Sequence, residues 1–150
     1  MGPHLCRNII ASDVQPGAAK AIARDRAEGS RMVIATAAPD FYASIIGQLL
    51  SFDEVIATRH AILPDGAISN RIEGENCYGG EKLARVESWL ANQSLDRSQY
   101  HIICYSDHPS DAPMLDWADE GILVTENAKL KPLAQKHGWQ IADFSATPPF

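Results

Sequence analysis

The hydrophobic positions of the chain alternate between helix-like and strand-like spacing from residue 16 onwards. In the helix-like segments apolar residues recur three or four positions apart, and the short apolar runs between them indicate buried strands. The pattern predicts helices over 16–28, 39–50, 81–91, 109–118 and 128–137, and strands over 31–36, 54–58, 100–104, 121–125 and 139–144. Alternation of this kind predicts an α/β fold, a mostly parallel sheet with helices on both faces, with 139–144 as an edge strand.

Glycine and proline positions mark the ends of these elements. Pro16 suits the first position of a helix, and Gly29 suits a helix stop. The tripeptide Pro64-Asp65-Gly66, with apolar residues on each side, predicts a β-hairpin over 60–72. Since no internal repeat or linker interrupts the pattern, we expect residues 1–150 to form a single domain with a loose tail at 145–150.

The composition of the chain indicates which kinds of partner and which cellular compartment to expect. The net charge of -6 comes without a lysine or arginine run, so we expect no nucleic acid partner. The sequence contains no apolar stretch near the roughly 18 residues of a membrane span, and Met1–Arg7 lacks the apolar middle of a signal peptide. The three cysteines show no metal-like pairing and fit reduced thiols. These features predict a cytoplasmic protein without a membrane partner.

Polar side chains stand at or beside the predicted strand ends. They are a hydroxyl, an ammonium and two carboxylates: Thr36, Lys82, Asp107 and Asp111. The carboxyl ends of parallel strands are where ligands bind in open α/β sheets. A hydroxyl, with the backbone N–H groups of the turn that follows it, can hold a phosphate beside a helix start, and a lysine adds positive charge. Two aspartates suit Mg²⁺, which prefers oxygen ligands and substrate phosphate.

Each of these residues also has a structural interpretation when taken singly. A threonine at a strand end is commonly structural, and a lysine in the first turn of a helix is commonly a solvated charge. Asp107 could cap the helix that begins at Pro109, and Asp111 could favour the first turn of that helix through its dipole. The ordered set is more informative than any one member.

Three segments carry this set: "RMVIATAAPDFY" (31–42), "GGEKLARV" (79–86) and "YSDHPSDAPML" (105–115). In this order they resemble the second, third and fourth motifs of the haloacid dehalogenase superfamily of phosphohydrolases, in its phosphoserine phosphatase-like branch. The segment 121–141 also resembles the ending of that branch. The resemblance covers the chain from about residue 13 to residue 144.

The resemblance implies a three-layer Rossmann-like core and a Mg²⁺-dependent hydrolase of small phosphomonoesters that works through an aspartyl-phosphate. It implies that Thr36, Ala37 and Lys82 bind the phosphoryl group. It further implies that Asp107 ligates Mg²⁺ and that Asp111 supports the metal or its waters. Two positions depart from the family pattern, since Ser106 stands in place of a glycine and His108 in place of a serine.

The larger departure is the absence of the family's first motif, because no Asp-x-Asp occurs in the 150 residues. That motif provides the nucleophilic aspartate and, two residues later, the general acid. Asp13 is the only local substitute, and Gln15 stands where the acid would be. We therefore expect that the chain begins part-way through a longer protein, without the first strand and most of the cap. Residues 1–12 would be a cap remnant and the chain would be inactive alone.

In the family the missing strand lies between the strands that carry Thr36 and Asp107. Its absence would leave two sheet edges to be filled by residues 5–11, by closing of the sheet, or by a second copy or partner chain. A second hypothesis is therefore a non-catalytic phosphate- or metal-binding module, or a subunit completed by a partner. A signalling receiver domain is disfavoured, because its acidic residues precede the threonine and lysine.

Overall fold

The computed structural model of the protein describes residues 14–74, 76–77 and 79–145. Within these ranges there are five α-helices, named α1 to α5: Pro16–Ala27, Asp40–Leu49, Gly80–Asn92, Ala112–Trp117 and Lys131–His137. Seven strands, β1 to β7, alternate with them: Val33–Pro39, Glu54–Thr58, His60–Ile62, Ile68–Ile72, Ile103–Ser106, Glu120–Val124 and Gln140–Ala142. Three single turns of 3₁₀-helix complete the elements: Arg97–Gln99, Pro109–Asp111 and Ala128–Leu130.

The strands form two parallel sheets and a hairpin. β1 pairs with β2, and β6 pairs with both β5 and β7, all in parallel. β7 has only β6 as a partner among the described strands, so the predicted edge strand is confirmed. β3 and β4 form an antiparallel pair, and its turn is closed by the hydrogen bond from the N–H of Leu63 to the carbonyl of Ala67 (2.8 Å). The predicted α/β fold and the predicted hairpin are therefore confirmed.

Helices pack on these sheets and bury their apolar residues. α2 packs on β1 and β2, α3 on β1 and α4, α4 on β5 and β6, and α5 on β7. The main core cluster lies under β5 to β7 and consists of buried apolar side chains: Cys104, Leu115, Leu123, Ala134 and Trp139. This core holds the ends of β5 and β6 in fixed positions. In the described part of the chain no helix has the length and apolar character needed to cross a membrane.

The largest differences from the predicted strand boundaries are in β1 and β5. β1 continues from the expected end at Thr36 to Pro39, because a residue that precedes proline, here Ala38, favours an extended backbone. β5 begins at Ile103 rather than at residue 100, since the Asp96 side chain accepts a hydrogen bond from the Ser98 N–H and caps a 3₁₀ turn there. β5 also ends later than predicted, since Ser106 pairs with Leu123 of β6 and is the last residue of the strand.

Candidate active site

A cleft of about 510 Å³ opens at the carboxyl ends of β1 and β5. It is lined by two residues within β1, by residues that end or follow β5, β6 and β7, and by side chains at the starts of three helical segments. The lining residues are Gln15, Ala35, Thr36, Lys82, Tyr105, Ser106, Asp107, Asp111, Val124, Thr125, Glu126, Asp143 and Phe144. All four side chains selected from the sequence, a threonine, a lysine and two aspartates, therefore lie in one cleft.

Thr36 lies where the pairing of β1 with β2 becomes irregular. The register is regular up to Ala35 and resumes only at Pro39. In this irregular stretch the Thr36 Oγ1 accepts a hydrogen bond from the N–H of Ala38 at 3.1 Å. Because that bond uses a lone pair of the oxygen, the hydroxyl proton of Thr36 can still be donated to a ligand. Ala37 lies between them, three residues before the first residue of α2.

Lys82 and Asp111 form an ion pair on one wall of the cleft. The Lys82 Nζ lies 2.7 Å from the Asp111 Oδ1, and the two side chains are only 12% and 11% exposed. The second oxygen of the same carboxylate, Oδ2, accepts a hydrogen bond from the Ser106 hydroxyl at 2.5 Å. Both oxygens of Asp111 are therefore occupied by protein donors, as a buried carboxylate requires.

The loop before α3 brings Lys82 to this position. Thr58, buried at the end of β2, donates its hydroxyl proton to the Asn76 Oδ1 (2.8 Å) and accepts a hydrogen bond from the Cys77 N–H (3.0 Å). Gly79 then adopts a φ of +56° immediately before the first residue of α3. Since this backbone conformation strains residues with a side chain, the glycine permits the abrupt start of the helix.

Asp107 has different surroundings from Asp111. Its side chain is exposed, and no described residue forms a hydrogen bond or ion pair with its carboxylate. The neighbouring imidazole of His108 is engaged within its own turn, where its Nδ1 lies 2.7 Å from the Ser110 Oγ. Asp107 is thus the carboxylate of the "CYSDHPSDAPML" segment that faces the cleft without a protein partner among the described residues.

The side chains of the cleft fit a magnesium ion that takes a phosphate oxygen as one of its ligands. Among the described residues no group of three or more histidine, cysteine, aspartate or glutamate side chains could enclose a metal ion. Mg²⁺ does not need such a cage, because one or two carboxylates, water and substrate phosphate are its usual ligands in proteins. Asp107 can serve as that carboxylate, whereas both oxygens of Asp111 already have protein partners.

Two buried cysteine thiols behind the cleft have raised pKa values. Burial raises the pKa of the Cys104 thiol to about 11, and the nearby negative charge of Asp111 acts in the same direction. Burial also raises the pKa of Cys77, which lies beside the backbone of Thr36. Cys77 and Cys104 are free thiols in the structure, as predicted, and Cys6 lies outside the described residues. Neither thiol is activated as a nucleophile, since that would need a lowered pKa.

Several lining residues were missed by the sequence-based prediction. Thr125 and Glu126 follow β6, and Asp143 follows β7, so the rule that selected the residues after β5 would also have selected these. Tyr105 is a further one, and it forms part of a cluster in which its hydroxyl donates to the Asp25 Oδ2 at 3.1 Å. Asp25 lies on α1 and is 6% exposed. Its burial gave no signal in the sequence, because helix α1 has a weakly amphipathic pattern.

Three predictions fall on the chain termini. Asp13, the candidate substitute nucleophile, lies outside the described residues, as does the candidate cap remnant at 1–12. Of the predicted tail, only Ser145 is described. The structure therefore leaves these predictions as they stand.

The sequence matches a known protein family. The sequence model of the haloacid dehalogenase-like hydrolases matches residues 3–116. Phosphoserine phosphatase SerB1 of Mycobacterium tuberculosis is 28% identical over 144 residues, which are 96% of this chain and 46% of that protein. Other curated relatives are covered to a similar extent, so the chain spans about half the length of the relatives it matches.

Solved structures show the same fold. A protein of unknown function from Bordetella pertussis Tohama I aligns with a TM-score of 0.80 at 26% identity, covering 93% of this chain and 64% of the other. A substrate-bound phosphoserine phosphatase aligns with a TM-score of 0.63 over 86% of this chain and 58% of its own. At 19% identity, the second likeness concerns the fold alone.

Proposed function

The chain belongs to the haloacid dehalogenase-like hydrolase family. From this membership and the likeness to a phosphoserine phosphatase, we propose that it is the phosphate- and Mg²⁺-binding part of a phosphomonoester hydrolase of the phosphoserine phosphatase-like branch. One observation carries the proposal. Thr36, Lys82 and Asp107, from three separate segments of the chain, line a single cleft at the carboxyl ends of the parallel strands. A hydroxyl, an ammonium and an exposed carboxylate are the groups that a phosphate and a magnesium ion require.

In this proposal the phosphoryl group is held by Thr36, Ala37 and Lys82. The Thr36 hydroxyl and the Ala37 N–H donate to phosphoryl oxygens at the start of α2, where the helix dipole favours negative charge. Lys82 has three N–H donors, and its bond to Asp111 uses one of them. The remaining two can point into the cleft. The ammonium also offsets the charge of the acidic residues around the phosphate.

Asp107 would hold the magnesium ion together with water and a phosphate oxygen. When bound, Mg²⁺ would stabilise the negative charge of the transferring group. The family resemblance also assigns Asp111 to the metal. In this proposal Asp111 would not touch the ion, and would instead position Lys82 or accept a hydrogen bond from metal-bound water. The exposure of Asp107 and the engagement of both Asp111 oxygens support this division of roles.

The family's reaction also needs a nucleophile. A carboxylate oxygen of one aspartate attacks phosphorus, the bond from phosphorus to the ester oxygen breaks, and that oxygen takes a proton from the second acid of the Asp-x-Asp motif. Water then cleaves the aspartyl-phosphate. No Asp-x-Asp occurs in the 150 residues, so we propose that turnover requires such a strand from a longer form of the protein or from a partner chain. The absence of pairing between β1 and β5 among the described strands supports this.

The substrate class is a small phosphomonoester. Phosphoserine is the substrate that the name of the Mycobacterium tuberculosis relative indicates for that protein. It is one candidate here, since the described cleft offers groups for the phosphate and the cation and the resemblance assigns the choice of substrate to a cap. The proposal therefore concerns the phosphate end of the substrate.

Calorimetric titration of the 150-residue chain tests the binding part. We expect inorganic phosphate and Mg²⁺ to bind, each more tightly in the presence of the other. Asp107→Asn should remove most of the Mg²⁺ affinity and leave the thermal midpoint nearly unchanged, because the side chain is exposed. The matched control is Glu87→Gln, an exposed carboxylate on α3 that does not line the cleft, and it should bind both ions as the unaltered chain does.

Hydrolysis of p-nitrophenyl phosphate with Mg²⁺ tests the catalytic part. The chain alone should show no turnover, whereas a form that carries an Asp-x-Asp strand should be active and should lose that activity with Asp107→Asn. Turnover by the chain alone that disappears in Asp13→Asn would contradict the need for an added strand. Binding of both ions without turnover in any form would favour the non-catalytic module instead.

A further inference from the structure

Ser106 begins a chain of hydrogen bonds that ends at the ammonium group of the cleft. Its hydroxyl donates to the Asp111 Oδ2 at 2.5 Å, and the Asp111 Oδ1 accepts from the Lys82 Nζ at 2.7 Å. We propose that Ser106 is a positioning residue, which fixes the direction in which Asp111 holds Lys82 and keeps Asp111 from binding the cation. The inference rests on the proposed function, since it concerns the same phosphate and Mg²⁺ site.

The direction of the Ser106 hydroxyl proton follows from its contacts. The N–H of His108 donates to the Ser106 Oγ at 3.2 Å, so this oxygen already acts as an acceptor on one side. Of its two potential acceptors, the Asp111 carboxylate at 2.5 Å is much closer than the His108 carbonyl at 3.4 Å. A carboxylate is also the stronger acceptor. The proton of Ser106 therefore points at Asp111.

The backbone of Ser106 is fixed by the sheet. It is the last residue of β5 and lies opposite Leu123 of β6 in the parallel register, and Leu123 is fully buried. On this fixed backbone, the hydroxyl is held by the bond that it donates to Asp111 and the bond that it accepts from the His108 N–H. The serine can therefore act as a fixed donor, whereas a glycine at this position would offer none.

Burial makes the arrangement at Asp111 consequential. The whole residue is 8% exposed and what remains exposed lines the cleft, so water compensates only in part for a lost donor. A buried carboxylate that loses a donor retains the full cost of its desolvation and will turn to another positive partner. Lys82, with its flexible four-carbon stem, is one such partner, and a divalent cation in the cleft is another.

When the Ser106 hydroxyl is removed, the affinity for phosphate should therefore fall and the affinity for Mg²⁺ should rise. In Ser106→Ala, Lys82, which already lies 2.7 Å from the Asp111 Oδ1, should donate a second N–H to the freed Oδ2 and so turn away from the phosphate, which weakens phosphate binding by roughly 3- to 10-fold. The freed Asp111 oxygen should become a second carboxylate ligand, which tightens Mg²⁺ binding in the absence of phosphate by a similar factor. A loss of structure alone would weaken both.

The test is calorimetric titration of the 150-residue chain with inorganic phosphate alone and with Mg²⁺ alone. Ser106→Gly removes the same hydroxyl and should reproduce the opposite shifts of Ser106→Ala, and Ser106→Thr, which keeps a hydroxyl, should restore both affinities. Ser110→Ala is the matched control, because its hydroxyl contacts His108 in the same turn. It should leave both affinities unchanged.

Parallel weakening of both affinities, in step with a lower unfolding midpoint, would overturn the positioning role and leave a structural one. Unchanged affinities in Ser106→Ala and Ser106→Gly, with normal binding by the unaltered chain, would also overturn it while leaving the proposed function intact. If the unaltered chain bound neither probe, the proposed function would fail, and this inference with it.

Discussion

The two aspartates of the cleft are four residues apart but differ in what surrounds them. Asp107 is exposed, whereas Asp111 is 8% exposed and has a donor on each oxygen. A buried charge without a partner is costly, so Asp111 needs its two protein donors. An exposed charge costs little, so Asp107 remains available to a ligand. Burial therefore separates a supporting carboxylate from one that can bind a cation.

At the scale of one residue, Cys104 gives a prediction about pH. Its pKa is raised from 9.0 to about 11, chiefly by burial, so the folded state holds the thiol proton more tightly than the unfolded state does. The resulting stability is present below pH 9 and is lost as the pH rises towards 11. The full loss above pH 11 would be about 3 kcal/mol, since one unit of pKa corresponds to about 1.4 kcal/mol, and about 2 kcal/mol of it should be lost by pH 10.5.

Urea unfolding between pH 8 and pH 10.5 measures this effect. In Cys104→Ala the free energy of unfolding should fall less steeply with pH than in the unaltered chain. Some decline should remain, because the pKa values of Cys77 and Tyr105 are raised as well. Identical slopes in the two proteins would mean that the thiol of Cys104 titrates alike in the folded and unfolded states.

Residue types could be predicted from the sequence, but their environments could not. The positions of Thr36, Lys82, Asp107 and Asp111 after or beside predicted strands were enough to place them in one cleft, because parallel strands end at one edge. The bond from Ser106 to Asp111 depends on β5 extending to Ser106, beyond the predicted end at Cys104. Hydrophobic periodicity does not record such a shift. The roles of these residues as ligands remain predictions.

At the scale of the element, the start of α3 depends on Gly79. This residue has a φ of +56° and a ψ of -126°, a conformation that is costly for any residue with a side chain. Gly79→Ala should lower the free energy of unfolding by about 1–3 kcal/mol and should weaken phosphate binding, because Lys82 lies in the first turn of that helix. Thermal unfolding and phosphate titration measure the two effects.

Gly80 is the matched control for this element. It is the first residue of α3, its φ is not positive, and an added methyl group would meet no atom within 4 Å. Gly80→Ala should therefore leave stability unchanged or raise it, since alanine favours helix. Equal destabilisation by the two substitutions would show that the backbone conformation of Gly79 is not what permits the helix start.

The ends of a strand can be predicted where polar residues bound an apolar run, but a short capped turn is easily missed. The span of β2, Glu54–Thr58, matches the prediction at both ends, because its apolar run is bounded by polar residues. The 3₁₀ turn at Arg97–Gln99 was not predicted, although an aspartate two residues before a serine is a known turn signal. This turn precedes the later start of β5, whereas Ser106 belongs to the sheet because it pairs with Leu123 of β6.

At the scale of the whole molecule, the two parallel sheets are connected through helices. Among the described strands, β1 and β5 do not pair, and the cleft lies between their carboxyl ends. Helix α1 contacts both sides, since the guanidinium of Arg26 donates to the carbonyl of Ser51 at 3.2 Å and Asp25 accepts from Tyr105 of β5. The separation of the two strands that border the cleft therefore depends on side-chain contacts of α1.

Tyr105→Phe tests this connection. The substitution keeps the ring, which packs against Phe144, but removes the hydroxyl that donates to buried Asp25 and accepts from Arg24. Because Asp25 would then lack one of its donors at 6% exposure, we expect a loss of about 1–2 kcal/mol in the free energy of unfolding. Tyr100→Phe is the control, since Tyr100 is 45% exposed and its hydroxyl has no hydrogen-bond partner among the described residues.

Urea unfolding followed by circular dichroism would compare the two variants with the unaltered chain. If α1 holds the β5 side of the cleft through Asp25, Tyr105→Phe should also weaken phosphate binding, because the cleft would lose the fixed spacing between Thr36 and the residues after β5. Tyr100→Phe should change neither quantity. Equal and small effects of both substitutions would mean that the packing of α3 against β1 and α4 is sufficient to hold the two sheets in place.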